Sequence, residues 1–267
     1  MKEKIKKIIY TIIITILIIL LIFLFQKVYN EIITKKDFEN SIMLFSENNK
    51  ETIFSIKKVI FFSSSDSKNK SSSPTNFTIE NLYTFTDIAL FIDNNSEENN
   101  LENTLKKAKI DNIKFDKKPT VGKQNLYYKS IENFAKSELE EKNLIDKELE
   151  FEVTSEEKVD LSKPILYNNC ANPITLSYIN QNIKNDYTMT DVENPITYNG
   201  KLLKRCGVLI SALDVSVSFD IELENNKNQK FRTTVYLEIP YEDEGKSIYD
   251  GNITVKKDTK FNFYRYE

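Results

Sequence analysis

Histidine and tryptophan are absent from this 267-residue chain, and cysteine (2), methionine (3), glycine (5) and proline (6) are sparse. Each shortage removes a class of chemistry. Without histidine there is no Ser-His-Asp or Cys-His nucleophile, no imidazole metal ligand and no imidazole pH switch. The glycines, at 122, 200, 207, 245 and 251, never cluster, so no Gly-rich loop exists to cradle a phosphate. Cys170 and Cys206 cannot complete a zinc site by themselves. They leave two readings: a disulfide, worth about 3–4 kcal/mol in the chain-entropy model where the compartment is oxidising, or two buried thiols. Nothing in this vocabulary calls for a cofactor.

Long apolar runs are missing too, with one exception. Ile8 to Phe25 contains no charge, no Gly and no Pro, and its only polar side chains are Tyr10, Thr11 and Thr15. At 1.5 Å per residue it reaches about 27 Å, which predicts a transmembrane helix over 8–25 with the lipid bilayer as its partner. Lys2, Lys4, Lys6 and Lys7 precede the run and Lys27 alone follows immediately. The positive-inside bias therefore keeps residues 1–7 cytoplasmic and places the rest outside. A signal peptidase needs small residues just past an apolar core, and Leu24-Phe25-Gln26-Lys27-Val28-Tyr29-Asn30 offers none, so the anchor stays uncleaved. No Cys lies near the run to take a lipid, and the Gly and acid of a pilin-type amino end are both lacking.

Residues 1–7 carry +3 and the whole chain −3, so the remainder carries −6. An acidic outer portion disfavours nucleic acid and other polyanions as partners. The abundance of Ile, Lys and Asn has the look of AT-rich coding in a bacterium.

Residues 26–51 hold dispersed apolar residues without Gly or Pro, which predicts a juxtamembrane helical stalk. A coiled coil fits poorly, because its core positions would include Lys35, Glu39, Ser46 and Asn49. Residues 52–148 read as an α+β portion. Strands are expected over Thr52–Phe62 and Phe77–Asp93, and the Ser-rich tract Ser63–Ser73 between them reads as a polar loop. Leu101, Leu105 and Ala108 are spaced as on one helix face, which predicts a short helix over Leu101–Lys109, with a second over Ile131–Glu141.

Residues 149–267 read as an antiparallel β-sandwich-like domain. Val215, Val217, Phe219, Ile221 and Leu223 alternate with polar residues, and Phe231 to Ile239 alternates back until Pro240. Asn199-Gly200 and Asp250-Gly251 predict two-residue hairpin turns with positive φ. Strands near 165–167, 174–179 and 185–190 complete the sheets. The expected fold class is thus mainly β: an N-terminal transmembrane helix and helical stalk, then an extracytoplasmic sandwich with one or two short helices.

Few constellations survive scrutiny. Glu238, Glu242, Asp243, Glu244 and Asp250 form the densest acidic group, but without Asp-x-Asp-x-Asp-Gly spacing they read as a solvated turn. Ser55-x-x-Lys58 and Ser65-x-x-Lys68 match the spacing of penicillin-recognising enzymes, without the accompanying Lys-Thr-Gly. Asp93 to Glu97 begins like a calcium loop and then has Glu98 where a Gly is needed. No catalytic, cofactor-binding or metal-ligating residues are expected. The functional expectation is a non-enzymatic, single-pass, surface-tethered binding or structural module of a bacterial envelope. Another envelope protein is a second candidate partner. The alternatives are an accessory subunit contacting a membrane complex through Thr11 and Thr15, and a carboxylate enzyme acting on wall glycans.

Overall fold

The computed structural model describes residues 2–48, 53–73, 76–94, 101–130, 139–189 and 196–267. Its contacts divide the chain into two units, 1–50 and 51–267. The first is one helix, α1 (Lys2–Asn48), about 70 Å long at 1.5 Å per residue. The apolar run and the expected stalk are therefore continuous. Ile13–Glu39 contains an 18-residue window with a mean hydropathy of 2.2 and is long and apolar enough to cross a membrane. Between Ile13 and Phe38 every apolar side chain is at least 39% exposed.

The second unit is mainly β. Its strands are β1 (Phe54–Ser73), β2 (Asn76–Asn94), β3 (Leu105–Lys117), β4 (Lys123–Tyr128), β5 (Leu149–Thr154), β6 (Ile165–Tyr167), β7 (Ile174–Met189), β8 (Ser216–Asn225), β9 (Lys230–Glu238), β10 (Glu242–Asp243), β11 (Lys246–Ser247), β12 (Ile253–Lys257), β13 (Phe261–Asn262) and β14 (Tyr264–Arg265). One sheet has the order β12-β1-β2-β7-β4, with β13 also paired to β1, and the other runs β14-β9-β8-β3-β5-β6. Among the described residues every pairing is antiparallel except β5 with β6. A single cluster of buried apolar side chains draws on both sheets. Phe54 of β1 meets Phe231 of β9 edge-on at 5.3 Å, and Phe115 of β3 meets Tyr178 of β7 at 6.1 Å. Each sheet holds strands from before and after residue 149, so both sequence regions build one core.

The two alternating strands expected here form the β8–β9 hairpin, with Val217 opposite Leu237 and Ile221 opposite Thr233. Four local expectations are corrected. First, Ser63–Ser73 is no loop but the second half of β1, paired with β2 along its length. Its buried hydroxyls are consumed locally: Ser63 Oγ and Thr86 Oγ1 are 2.8 Å apart, Ser64 Oγ donates to Asn252 Oδ1 at 2.7 Å, and Ser65 Oγ donates to the Asn199 carbonyl at 2.6 Å. Composition hid this strand because hydroxyls, satisfied inside, replace its apolar face.

Second, Leu101–Lys109 is not a helix beyond a single 3₁₀ turn, and Leu105 onward is β3. A bulge between Leu105 and Lys107 puts Leu105 and Ala108 on the same buried face three residues apart, a spacing that imitates a helix. Third, Asn199-Gly200 does not join two strands. It starts a short helix, α2 (Lys201–Arg205), where Asn199 Oδ1 accepts from the Lys201 amide at 3.0 Å and φ at Gly200 is −54°. Fourth, Asp250-Gly251 closes a 3₁₀ turn over Ile248–Asp250. The two turns lie against each other, and a Cβ on Gly200 would fall well inside 3.0 Å of the Ile248 and Gly251 carbonyl oxygens.

The strands expected at 174–179 and 185–190 are one, β7. The helix expected over 131–141 lies mostly outside the described residues, and Glu141–Asn143 is a 3₁₀ turn.

Candidate functional site

The side of the first sheet turned away from the shared core carries a second, smaller cluster: Tyr83, Phe85, Tyr127 and Ile179, with Phe62 and Leu139 packed on it. Against it sit two charges. Register places Asp87 of β2 beside Ser177 of β7, and Ser177 beside Tyr127 of β4. The chain then continues to Lys129, whose amide donates to the Thr175 carbonyl at 3.0 Å and whose own carbonyl accepts from Thr175 Oγ1. From there the Lys129 side chain crosses β7 and its Nζ donates to Asp87 Oδ2. Asp87 Oδ1 accepts from Ser177 Oγ at 2.8 Å, and the Phe85 ring centroid lies 5.8 Å from Nζ.

Lys129 is 1% exposed and Asp87 8%. Burial pushes the Asp87 carboxyl above its ordinary range, against the opposing pull of the Lys129 charge and of hydrogen bonds from Lys129 and Ser177. A charge pair so deeply buried costs desolvation that its own attraction barely offsets. Sequence reasoning passed over both residues. The signal was present, because Asp87 is the only charge between Leu82 and Ile92, and a lone acid in an apolar strand needs a buried partner.

Beside this pair opens a cavity of about 440 Å³ between the end of β4, the start of β7 and the β5–β6 edge. Tyr128, Phe151, Ile165 and Pro173 give it a mainly apolar lining, with Ser130 and Thr175 among the polar groups. The wall is stiffened locally. Tyr128 Oη donates to the Ser162 carbonyl, while Asn172 ties the 167–172 turn by accepting from the Tyr167 amide at 2.8 Å and donating to the Ile165 carbonyl at 2.9 Å. Such a recess accepts a small apolar or aromatic group with one or two hydrogen-bonding atoms.

The other candidates are placed apart from it. Glu242 and Asp243 form β10, which turns through Glu244 and Gly245, both at positive φ, into β11. Glu238 and Glu242 line a second cavity of about 360 Å³, in company with Asp214, Lys117 and Lys257. Lys117 and Asp214 pair there at 3.0 Å. Ser55 is buried while the half-buried Lys58 lays its Nζ over the Phe91 ring, and Ser65 is spent on the Asn199 carbonyl, so neither Ser-x-x-Lys spacing assembles a nucleophile and base. Cys170 and Cys206 are free thiols. Burial raises Cys170 to about 12 and Cys206 to about 11. Among the described residues no group of three or more His, Cys, Asp or Glu side chains is arranged to hold a metal ion.

A further polar stripe lies inside the core. Thr84 Oγ1, Tyr178 Oη, Asn180 Oδ1 and Tyr241 Oη are buried without a hydrogen-bond partner in good geometry among the described residues.

No family model, curated protein or solved structure matches this chain. The functional reading rests on its own residues.

Proposed function

We propose that the chain is a single-pass membrane-anchored extracytoplasmic module of a bacterial cell envelope that works by binding or by mechanical support rather than by catalysis. The observation that carries this reading is α1, apolar on every side from Ile13 to Phe25 and preceded by four lysines. A soluble helix would have to hide that surface, and a bilayer accepts it. The β-rich unit that follows supports the binding half of the proposal. Its mainly apolar edge recess fits a small ligand or one anchoring side chain of a partner protein.

The test is protease applied to intact cells carrying a C-terminal epitope. Loss of the epitope from intact cells, with the first few residues protected, is the expected result. An epitope that survives in intact cells and disappears only after lysis refutes the topology.

A second reading has its own observation. α1 continues past Phe25 with Val28, Tyr29, Ile32, Ile33 and Phe38 all exposed. That apolar surface beyond the membrane-length run favours an accessory subunit laid against another envelope protein. Replacing Ile32 and Phe38 with Ser releases a co-purifying partner if this reading holds and changes nothing if it does not.

A further inference from the structure

The geometry points to Lys129 and Asp87 as a modification site, where the two side chains condense into an intramolecular amide that ties β2 to the end of β4 across β7. The inference stands apart from the proposed binding role, since it concerns only the interior of the β unit.

The reacting atoms are already together. Lys129 Nζ contacts Asp87 Oδ2, and both backbones are fixed: Asp87 by pairing on either side and Lys129 by two hydrogen bonds to Thr175. Fixed proximity of this kind supplies most of what a bimolecular condensation lacks. The surroundings decide the direction. As an ion pair the two groups place opposite charges out of water beside the Phe85 ring, which costs desolvation, whereas the amide carries no charge at all. The raised Asp87 carboxyl leans towards its protonated, electrophilic form.

In the reaction a proton passes from the Lys129 ammonium to the carboxylate. The freed amine lone pair attacks Asp87 Cγ, forming the C–N bond and a tetrahedral centre. Ser177 Oγ, 2.8 Å from Oδ1, donates to the oxygen that bears the developing negative charge. The C–Oδ2 bond then breaks, and that oxygen leaves as water with the carboxyl proton and one from nitrogen. No oxidant, reductant or activated co-reactant is required, and exclusion of water keeps the amide from reverting. Lys57–Asp93 and Lys70–Asp186 are equally close pairs, but both are open to solvent. There the ions keep their hydration, and no condensation is expected.

The experiment is an intact-mass measurement on the full chain, extracted in detergent and denatured, with a peptide map. The expected chain is lighter than its sequence by one water, and the segments bearing residues 87 and 129 appear as a single branched peptide. Asp87→Ala restores the full mass. Asp87→Asn gives the same amide with loss of ammonia. If Asp87→Ala does not accumulate, Lys129→Arg, which keeps the charge, is expected at full mass. A wild-type chain at its full sequence mass, with the two segments separate, overturns the inference. So does a missing water that persists in Asp87→Ala or Lys129→Arg.

Discussion

Gly200→Ala separates a turn inferred from sequence from the packing actually found. Asn-Gly between apolar residues implies positive φ at both positions, so Ala would cost backbone strain at a site with room for a methyl group. The structure gives the reverse. Gly200 has φ −54° and ψ −24°, where Ala is at ease and would gain about 0.5–1 kcal/mol by lowering the entropy of the unfolded chain. What forbids it is space. A Cβ there lies well inside 3.0 Å of the Ile248 and Gly251 carbonyl oxygens and of Ile248 Cγ1. Two of these are backbone atoms, one in the 3₁₀ turn and one on the residue that caps it, and Ile248 is fully buried, so none can swing aside.

Overpacking of this kind costs about 1–3 kcal/mol, and two fixed oxygens put it at the upper end, for a net loss of about 2 kcal/mol. For a unit of this size that lowers Tm by about 4–8 °C. With no Trp in the chain, urea unfolding of detergent-solubilised protein is followed by near-UV circular dichroism of its 14 tyrosines. Gly207→Ala is the control: nothing lies within 4 Å of its Cβ, and only its φ of +63° is at stake, about 1 kcal/mol. Gly200→Ala as stable as wild type, or less harmful than Gly207→Ala, refutes the packing argument.

Three further outcomes follow from side chains drawn wholly or partly out of water. Tyr178→Phe removes a fully buried hydroxyl without a well-formed partner, and it is expected to leave stability unchanged or raise it by about 1 kcal/mol; a loss above about 1 kcal/mol in denaturant titration would show that the hydroxyl is satisfied. Burial pushes the Asp220 carboxyl up, but hydrogen bonds from Asn112 and Thr234 and the charge of Arg232 outweigh it, so it titrates below its ordinary range. A lowered folded value means stability present above the unfolded carboxylate pKa of about 4 and lost as pH falls through the folded one. Thr234→Val, which removes the 2.6 Å bond to Asp220 Oδ1, should raise that pKa and cost stability at pH 7 but not once the carboxyl is protonated; an unmoved carboxyl titration by NMR refutes this. Finally, Cys206 is fully buried and burial holds its thiol at about 11, so its alkylation at pH 8 should require unfolding. A chain lighter by two hydrogens before reduction would instead establish the disulfide.

The long apolar helix and the β8–β9 hairpin were legible because each follows one unbroken period. Ile8–Phe25 runs without a charge, a Gly or a Pro, and Val215–Leu223 alternates without a slip. Where the period breaks, local reading fails for a definite reason. Bulges between Ile56 and Lys58 and between Leu105 and Lys107 bring Ile56 with Val59, and Leu105 with Ala108, to one face at a spacing of three. A helix and a bulged strand then look alike in sequence, and only the pairing partner decides between them.

The interior chemistry was hidden for a related reason. A row of serines reads as solvated because serine can satisfy itself in water, yet Ser63, Ser64 and Ser65 find partners 23, 188 and 134 residues away along the chain. Lys129 and Asp87, 42 residues apart, meet only because β7 separates β2 from β4 by one strand, a distance that a lysine side chain can cross. Non-local pairing thus does more than bury apolar surface in this fold. It determines which polar groups are drawn out of water together, and so where an amine and an acid are held with nothing between them.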